Sequence, residues 1–242
     1  MKDDPIKTEL IKRFTTAQSP WGRFRLAVYA RWKRIAWRWV IGSTLAIKRL
    51  FDVVVSVTFL IMFSPVYAVL ALLIKLEDRG PVFFAQTRVG LHGREFKMLK
   101  YRSMCVNAEA KLQEILAKNQ HQQGVTFKMK DDPRITKVGK WLRKLSLDEL
   151  PQMINVLQGA MSLVGPRPPV PREVALYSQS DRLRLNIKPG ITCFWQIGGR
   201  SEIDFSGQVK LDVKYIESQS FWTDIMILLK TVPAVLFGKG AY

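Results

Sequence analysis

The chain has 242 residues, enough for one substantial domain with additional segments. Lysine and arginine outnumber aspartate and glutamate by 38 to 20, and the net charge of +18 suits nucleic acid, acidic lipid head groups or a phosphorylated substrate. Cys105 and Cys193 form no CxxC pair, the two histidines lack metal-ligand spacing, and no Walker-type phosphate loop is present. These features exclude a disulfide framework, a common zinc site and a P-loop enzyme.

Residues 1–47 predict a basic N-terminal extension that contains an interfacial helix. Its aromatic and aliphatic residues fall on one helical stripe with arginines beside it: Trp21, Phe24, Val28, Trp32, Ile35, Trp39, Arg31, Arg34 and Arg38. Indole rings sit at the level of membrane head groups and cations contact anionic lipid, so the stripe favours a membrane surface. A basic helix that binds nucleic acid is the alternative.

Residues 53–74 form an uncharged run of 22 residues. At about 1.5 Å per residue this run reaches across a hydrocarbon core of about 30 Å. Ser64 and Pro65 interrupt it near the middle, where a proline removes one helical hydrogen bond and bends the helix. We therefore expect residues 48–78 to form a membrane helix broken at Ser64 and Pro65, with the Ser64 hydroxyl as a partner for a freed backbone group.

The charges that flank this run indicate whether the helix spans the membrane or re-emerges on the side from which it entered. Residues 1–49 carry twelve Lys or Arg against three acidic residues, so half of the net charge precedes the run and half follows. A spanning helix would place one strongly basic side outside, against the positive-inside tendency. A re-entrant helix avoids this conflict, and residues 79–242 are then predicted to form a cytoplasmic domain beside membrane lipids.

The segments that follow the run predict an α+β fold that is predominantly helical. Residues 82–85 and 94–99, separated by 90–93 with two glycines, predict a β-hairpin. The hairpin carries several polar and basic residues, by default a solvated basic face: Gln86, Arg88, Lys97, Lys100 and Arg102. Residues 104–118 predict an amphipathic helix, and residues 131–136 a turn.

The segment 145–158 predicts a short amphipathic helix with two acidic residues in its first turn. Apolar residues recur at helical spacing on the side that we expect to be buried: Leu147, Leu150, Ile154 and Leu157. Ser146 and Glu149 match a capping box, but Pro151 conflicts with that start, and a start at Asp148 removes the conflict. A helix N-terminus favours ionised carboxylates, which suit a nucleophile or a magnesium ligand; the alternative is that Asp148 and Glu149 only cap the helix.

Three further segments carry cations or apolar surface. Arg167 lies in the proline-rich turn 165–169, which restricts the backbone and suits a phosphate contact, with a plain surface loop as the alternative. Arg200 follows two glycines and is a candidate nucleotide or phosphate contact. Residues 221–237 are apolar but interrupted, and are predicted to lie along the membrane surface or to pack on the domain.

The motifs SLDELPQ and MSLVGPRP resemble the signature of the bacterial sugar transferases, the monotopic phosphoglycosyl transferases. The resemblance continues through KPGIT, WQIGGR and GKGAY and covers about residues 48 to 242. It implies an enzyme of the bacterial inner membrane that transfers a sugar-1-phosphate from a UDP-sugar to polyprenyl (undecaprenyl) phosphate, the first step of a polysaccharide or glycoconjugate pathway. The terminal GKGAY resembles the exopolysaccharide-type enzymes, which points to glucose or galactose.

The resemblance also implies roles for individual residues. Asp148 attacks the sugar-side phosphorus, releases UMP and carries a covalent phosphosugar, while Glu149 binds Mg²⁺ or orients the lipid phosphate. QTRVG and FKMLKYRSM resemble segments that border the active site, and DPRIT is a family motif. The implied phosphate contacts are Lys100, Arg102, Arg88, Arg134, Arg167 and Arg200. For Asp132 and Arg134, a turn cap and a surface charge are equally good interpretations.

Two positions depart from the resemblance, and two other classes of function stay open. Ala160 stands where many relatives have an acidic residue, and Cys193 where many have glycine, which alters a close backbone contact. A membrane-tethered nucleic-acid-binding protein would account for the charge, and a membrane-surface scaffold would need neither UDP-sugar nor magnesium. We expect no nucleic acid partner, and homo-oligomerisation is left open.

Overall fold

The computed structural model of the chain describes residues 5–108, 110, 132–199 and 203–237. Contacts divide the chain into two compact units, Met1–Lys48 and Arg49–Tyr242. Helix α1 (Pro5–Ala17) lies in the first unit, and the long helix α2 (Pro20–Met62) begins there and ends in the second. Within the first unit the side chains of Trp21, Trp32 and Trp39 are all exposed.

The second unit combines short helices with two small sheets, which confirms a predominantly helical α+β class. In chain order its elements are α3 (Ser64–Asp78), β1 (Phe83–Val89), β2 (Glu95–Tyr101), α4 (Lys137–Lys144), a 3₁₀ turn (Leu147–Glu149), α5 (Gln152–Gln158), β3 (Ser162–Val164), α6 (Pro171–Val174), a second 3₁₀ turn (Asp181–Asn186), β4 (Gly190–Thr192), α7 (Phe194–Gly198), α8 (Phe205–Glu217) and α9 (Phe221–Phe237). Most of the helix predicted over 104–118, Arg200 and the terminal GKGAY lie outside the described residues.

Strands β1 and β2 form the predicted hairpin. They pair antiparallel from Phe83 opposite Tyr101 to Val89 opposite Glu95, so the strands extend further than the sequence pattern indicates. His92 and Gly93 both have positive φ in the connection, the conformation for which a glycine-containing turn is favoured. The hairpin prediction is therefore confirmed.

Strand β2 connects two apolar clusters. Met98 belongs to a cluster with Val156 of α5 and residues of β3, α8 and α9, and Tyr101 belongs to a second cluster with α3 and α4. The side-chain amide of Asn155 donates to the Lys97 carbonyl and accepts from the Leu99 N–H, both at 2.8 Å. Asn155 thereby fastens α5 to the β2 edge that β1 does not cover.

The predicted helix over 145–158 begins later than expected, and its buried side differs. The α-helix begins at Gln152, and Ser146 has φ 55° and makes no side-chain cap, so the predicted capping box and the start at Asp148 are wrong. Pro151 explains the start, because it has no N–H and its ring would clash with the Leu147 carbonyl; that carbonyl accepts from Leu150 in a 3₁₀ turn instead.

The face of α5 that packs inward is partly polar. Gln152, Asn155 and Val156 are buried, whereas the four apolar residues of the predicted stripe are only half-buried: Leu147, Leu150, Ile154 and Leu157. Leu147 and Leu150 pack against the second apolar cluster, which agrees with the prediction, but the most deeply buried positions of α5 include two polar residues, which it did not foresee. The reason is that α5 packs against a strand edge, whose backbone groups need hydrogen bonds from an amide side chain.

The interruption predicted at Ser64 and Pro65 is present. Helix α2 ends at Met62, α3 begins at Ser64 with Pro65 in its first turn, and the two helices are bent by 64°. The Ser64 hydroxyl donates to the Ile61 carbonyl at 2.9 Å, which satisfies one of the backbone groups freed by the break. Among the described helices none is by itself long and apolar enough to cross a membrane, and α2 with α3 meets that criterion only as a bent pair.

Removal of the Asn155 amide is expected to destabilise the second unit. Asn155→Ala leaves the Lys97 carbonyl and the Leu99 N–H without their buried partner, and we expect the free energy of unfolding to fall by about 1–3 kcal/mol. Denaturant unfolding in detergent measures this change. The control is Gln158→Ala on the exposed side of the same helix, for which we expect a change within about 0.5 kcal/mol. Equal effects of the two substitutions would contradict this assignment.

Candidate active site

Two adjacent carboxylates lie in the 3₁₀ turn between α4 and α5. Ser146 takes a left-handed conformation just before them and turns the chain, and Pro151 ends the turn just after them. Asp148 is only 8% exposed, and the side chain of Glu149 is 22% exposed. The sequence therefore places one acidic group in the protein interior and the other at the surface of a pocket.

Glu149 is held by a cation on strand β2. The Nζ atom of Lys100 donates to Glu149 Oε1 at 2.8 Å, and Arg167 Nη1 lies 4.0 Å from the same oxygen. Burial by itself raises the pKa of Glu149, but the charges of Lys100, Arg167 and Arg88 outweigh burial and lower the pKa to about 2. Glu149 is therefore ionised at any physiological pH.

Asp148 is in a different electrostatic position. Burial raises its pKa, the charge of Glu149 adds to that effect, and Lys100, Arg143 and Arg167 oppose it. No described residue donates a hydrogen bond to its carboxylate. Its oxygen lone pairs are therefore available to an electrophile or a metal ion that enters the site.

Arg143 is a site residue that the sequence analysis did not single out. Its Nε donates to the Ser103 hydroxyl at 2.9 Å, and its charge lowers the pKa of Asp148. Burial lowers the pKa of Arg143 itself, and the Asp148 carboxylate opposes that change. The available signal was its position in a cationic stretch shortly before the acidic pair.

Arg88 fixes the proline-rich turn that carries Arg167. Two of its nitrogens donate to Gln86 Oε1, at 2.7 and 3.1 Å, and Nη1 donates to the Pro168 carbonyl at 2.8 Å. Burial and the neighbouring charge of Arg167 lower the pKa of Arg88 to about 10. Arg88 thus holds the turn through its bond to the Pro168 carbonyl. Arg167, whose side chain is 39% exposed, lines the pocket.

The structure does not bring all the predicted cations together. Lys100 and Arg167 lie beside Glu149, and Arg88 acts on that carboxylate only through its charge. Arg102 is buried in an ion pair with Asp78, and Arg134 Nε donates to Asp132 Oδ1 at 2.8 Å. Asp132 Oδ1 also accepts from the Arg134 N–H at 3.0 Å, the hydrogen bond of a turn cap. Arg200 lies outside the described residues.

A small pocket that is open to solvent lies beside Glu149. Eight residues line it: Met98, Glu149, Gln152, Arg167, Pro168, Gly190, Ile191 and Gln196. Gln152 and Gln196 were not predicted as site residues, and their only signals in the sequence are their places in the ELPQ and WQIGG segments. A Cβ on Gly190 would come within 2.0 Å of the Gly165 N–H nitrogen, so only glycine permits this close packing at the pocket wall.

The acidic pair suits a magnesium ion that arrives with phosphate. In the described part of the chain, no group of three or more His, Cys, Asp and Glu side chains could hold a metal ion. Mg²⁺ is nonetheless commonly bound through one or two carboxylates together with water and substrate phosphate oxygens. Asp148 has both oxygens free of hydrogen bonds from described residues, and Glu149 has Oε2 besides the oxygen that Lys100 holds.

Comparison with known proteins gives consistent matches. The family model described as bacterial sugar transferase matches residues 43–238. The exopolysaccharide production protein ExoY of Sinorhizobium fredii is 42% identical over 198 residues, which cover 81% of this chain and 88% of ExoY.

Longer proteins match over the same region. The undecaprenyl-phosphate galactose phosphotransferase of Salmonella typhimurium is 44% identical over 203 residues, and the UDP-glucose:undecaprenyl-phosphate glucose-1-phosphate transferase of Escherichia coli is 42% identical over 209. The matched region covers 83% of this chain and 42% of each of these two proteins. The chain therefore spans most of ExoY and less than half of the longer relatives.

Removal of the Lys100 charge is expected to raise the pKa of both carboxylates. Lys100→Met withdraws the nearest cation from Glu149 and an opposing charge from Asp148, so protonation of each becomes easier. Carbon-13 NMR of labelled carboxyl groups measures both titrations. The control Lys97→Met removes an exposed cation from the same strand. Unchanged titration of Glu149 in Lys100→Met would contradict the ion pair.

Proposed function

The chain belongs to the bacterial sugar transferase family, and from this premise we propose that it transfers a sugar-1-phosphate from a UDP-sugar to undecaprenyl phosphate or a similar polyprenyl phosphate, the first step of exopolysaccharide synthesis. The names of the relatives support the reaction and the pathway, since they include undecaprenyl-phosphate phosphotransferases of galactose and glucose and an exopolysaccharide production protein. The observation that carries the proposal is the acidic pair amid cations at the pocket.

The cations at the site suit a reaction between two anionic substrates. A nucleotide diphosphate and a lipid phosphate repel each other, and fixed positive charge offsets that repulsion and stabilises the transition state of phosphoryl transfer. Lys100 and Arg167 are the cations closest to Glu149, and Arg143 acts on Asp148. Fixed positive charge is thus available beside the carboxylates, where the phosphorus would be attacked.

Asp148 is the proposed nucleophile. Its carboxylate oxygen attacks the phosphorus that carries the sugar, the bond from that phosphorus to the bridging oxygen of UMP breaks, and UMP leaves with the electron pair. A phosphosugar ester then remains on Asp148. An oxygen of the lipid phosphate attacks the same phosphorus and releases the carboxylate, which regenerates the enzyme. The free lone pairs of Asp148 support this role.

Glu149 is assigned to substrate and metal. Its pKa of about 2 keeps it anionic, so it does not act as the proton donor. Together with Asp148 it would hold Mg²⁺ against the phosphate oxygens, and the ion when bound supplies further neutralisation of phosphate charge. The Lys100 contact fixes the orientation of Glu149 before any substrate enters.

The bent pair of helices is proposed as the membrane anchor. Large apolar side chains are exposed along the end of α2 and along α3: Val54, Val57, Ile61, Met62, Val66, Val69, Leu72 and Leu76. Two other α3 residues, Leu70 and Ile74, are buried against Tyr101 and Leu142, so α3 is apolar on both sides. We assign a re-entrant helix in the inner membrane, with the catalytic domain on its cytoplasmic face.

Helix α9 also fits a position at the membrane, and the two alternative functions are less well supported. Trp222, Leu229 and Val232 are exposed on α9, as on a helix that lies at a membrane surface. Three of the cations, Arg88, Arg102 and Arg134, bind protein groups and are therefore not part of a surface for nucleic acid. A pure scaffold would not need an acidic pair held by Lys100.

The covalent step predicts exchange without lipid. Purified protein incubated with labelled UMP, Mg²⁺ and a UDP-hexose should incorporate label into the nucleotide sugar, because formation of the aspartyl ester is reversible. Asp148→Asn should lower this exchange by about a thousand-fold or more, since the amide cannot form the ester. Glu149→Gln, or a chelator that removes Mg²⁺, should also lower the rate of exchange, because each weakens metal binding at the site.

Two comparisons make the exchange assay specific. Glu95→Gln removes an exposed acidic group from strand β2 and should leave the exchange unchanged. Exchange that persists in Asp148→Asn would assign the nucleophile elsewhere. Lipid-dependent product formed by the wild type in the absence of any exchange would favour direct transfer in one step.

The re-entrant topology predicts that both flanks of the bent helix face the same compartment. Lys7 in α1 and Arg94 in the hairpin connection are exposed, and they lie before and after the bent helix in the sequence. A single cysteine is introduced at each position in turn. An impermeant thiol reagent should label both in inverted vesicles and neither in right-side-out vesicles, while permeabilised vesicles label both in each case. Labelling of the two positions from opposite sides would show a spanning helix.

A further inference from the structure

Two side-chain amides line the pocket, and the proposed transfer step uses neither. Gln152, the first residue of α5, is 3% exposed and has no hydrogen-bond partner among the described residues. Gln196, in α7, is half-buried on the same pocket. The Gln152 amide is therefore available for a hydrogen bond to a ligand that enters the pocket.

The orientation of Gln196 is fixed by a neighbouring thiol. Cys193 Sγ donates to Gln196 Oε1 at 3.2 Å, and Cys193 is fully buried. Burial raises the pKa of the Cys193 thiol, so the thiol stays protonated and keeps donating. Because the amide oxygen is engaged, the NH₂ group of Gln196 is the end left to donate into the pocket.

The rest of the lining indicates which part of the donor enters. The only charged residues of the lining, itself made wholly of described residues, are Glu149 and Arg167, which mark the phosphate end. Beyond them the pocket offers two amides and the apolar surfaces of Met98, Pro168 and Ile191. Amides with apolar walls match an uncharged ring that carries hydroxyl groups.

We propose that Gln152 and Gln196 bind the hexose of the nucleotide-sugar donor, and that Cys193 is a positioning residue that orients Gln196. The inference rests on the proposed function, in which the attacked phosphorus carries the hexose, so the hexose must lie next to the acidic pair. It adds the sugar subsite to that function.

Binding of donors to a variant that cannot react tests the subsite. In the Asp148→Asn background, calorimetry compares UDP-glucose, UDP-galactose and UDP, and the excess affinity of each UDP-hexose over UDP reports the sugar contacts. Gln152→Leu and Gln196→Leu should each reduce this excess for the preferred hexose by roughly three- to tenfold and leave the affinity for UDP unchanged. Gln158→Leu, exposed on α5, should change neither.

The positioning role has its own readout. Cys193→Ser keeps a hydroxyl donor for Gln196 and should preserve most of the hexose excess, whereas Cys193→Ala should lose it to the same extent as Gln196→Leu. The double variant Cys193→Ala with Gln196→Leu should lose no more than Gln196→Leu alone, because both act on one contact. Gln196→Glu keeps the side-chain volume and serves if the leucine variant unfolds.

The outcomes distinguish failure of the sugar subsite from failure of the proposed function. If the parent variant binds a UDP-hexose more tightly than UDP and the glutamine variants leave that excess unchanged, the sugar subsite is overturned and the proposed function stands. If the glutamine variants weaken UDP and UDP-hexose equally, the amides contact the nucleotide and the subsite is again overturned. If the parent binds neither UDP nor any UDP-hexose, both proposals fall together.

Discussion

The ion pair between Lys100 and Glu149 is the contact on which the arrangement of this site depends. It joins strand β2 to the 3₁₀ turn that carries the acidic pair. Two adjacent carboxylates at the edge of a protein interior repel each other, and burial disfavours both charges. Lys100 compensates the charge of Glu149 and also lowers the pKa of Asp148, so that one carboxylate is held ionised and the other is left with lone pairs for bond formation.

The scaffold places this ion pair through β2. Met98 and Tyr101 pack into two different apolar clusters. The backbone of Lys97 and Leu99 is hydrogen-bonded to Asn155. The β2 backbone around Lys100 is therefore held in place by its neighbours. Pro151 prevents the following helix from extending back over the acidic residues, which leaves them in a turn from which Glu149 reaches the pocket. The stability of the fold and the geometry of the proposed chemistry therefore depend on the same strand.

Local signals in the sequence were sufficient for some of these features. The glycine-containing connection predicted the hairpin, and Ser64 with Pro65 predicted the helix break, because each is set by backbone chemistry within a few residues. The prediction of the helix start failed because two local signals competed. The steric restriction that Pro151 places on the preceding backbone outweighed the capping preference of Ser146 and Glu149. Which cations reach the acidic pair depends on contacts between distant segments, so Arg143 was missed and the pairing of Arg102 with Asp78 was not foreseen. Arg134 instead pairs within its own turn, with Asp132. Gln152 and Gln196 carry no titratable group, and only the pocket reveals them.

The central claim is that the carboxylate of Asp148 becomes esterified by the sugar phosphate. The most direct measurement is peptide mass spectrometry of protein quenched in acid after a brief exposure to a UDP-hexose and Mg²⁺ without lipid. The account predicts an added mass of one hexose phosphate on the peptide that contains the acidic pair, with fragment ions that place it on Asp148 and loss of the adduct when polyprenyl phosphate is added before the quench. An adduct on Glu149 or on any other residue would contradict it.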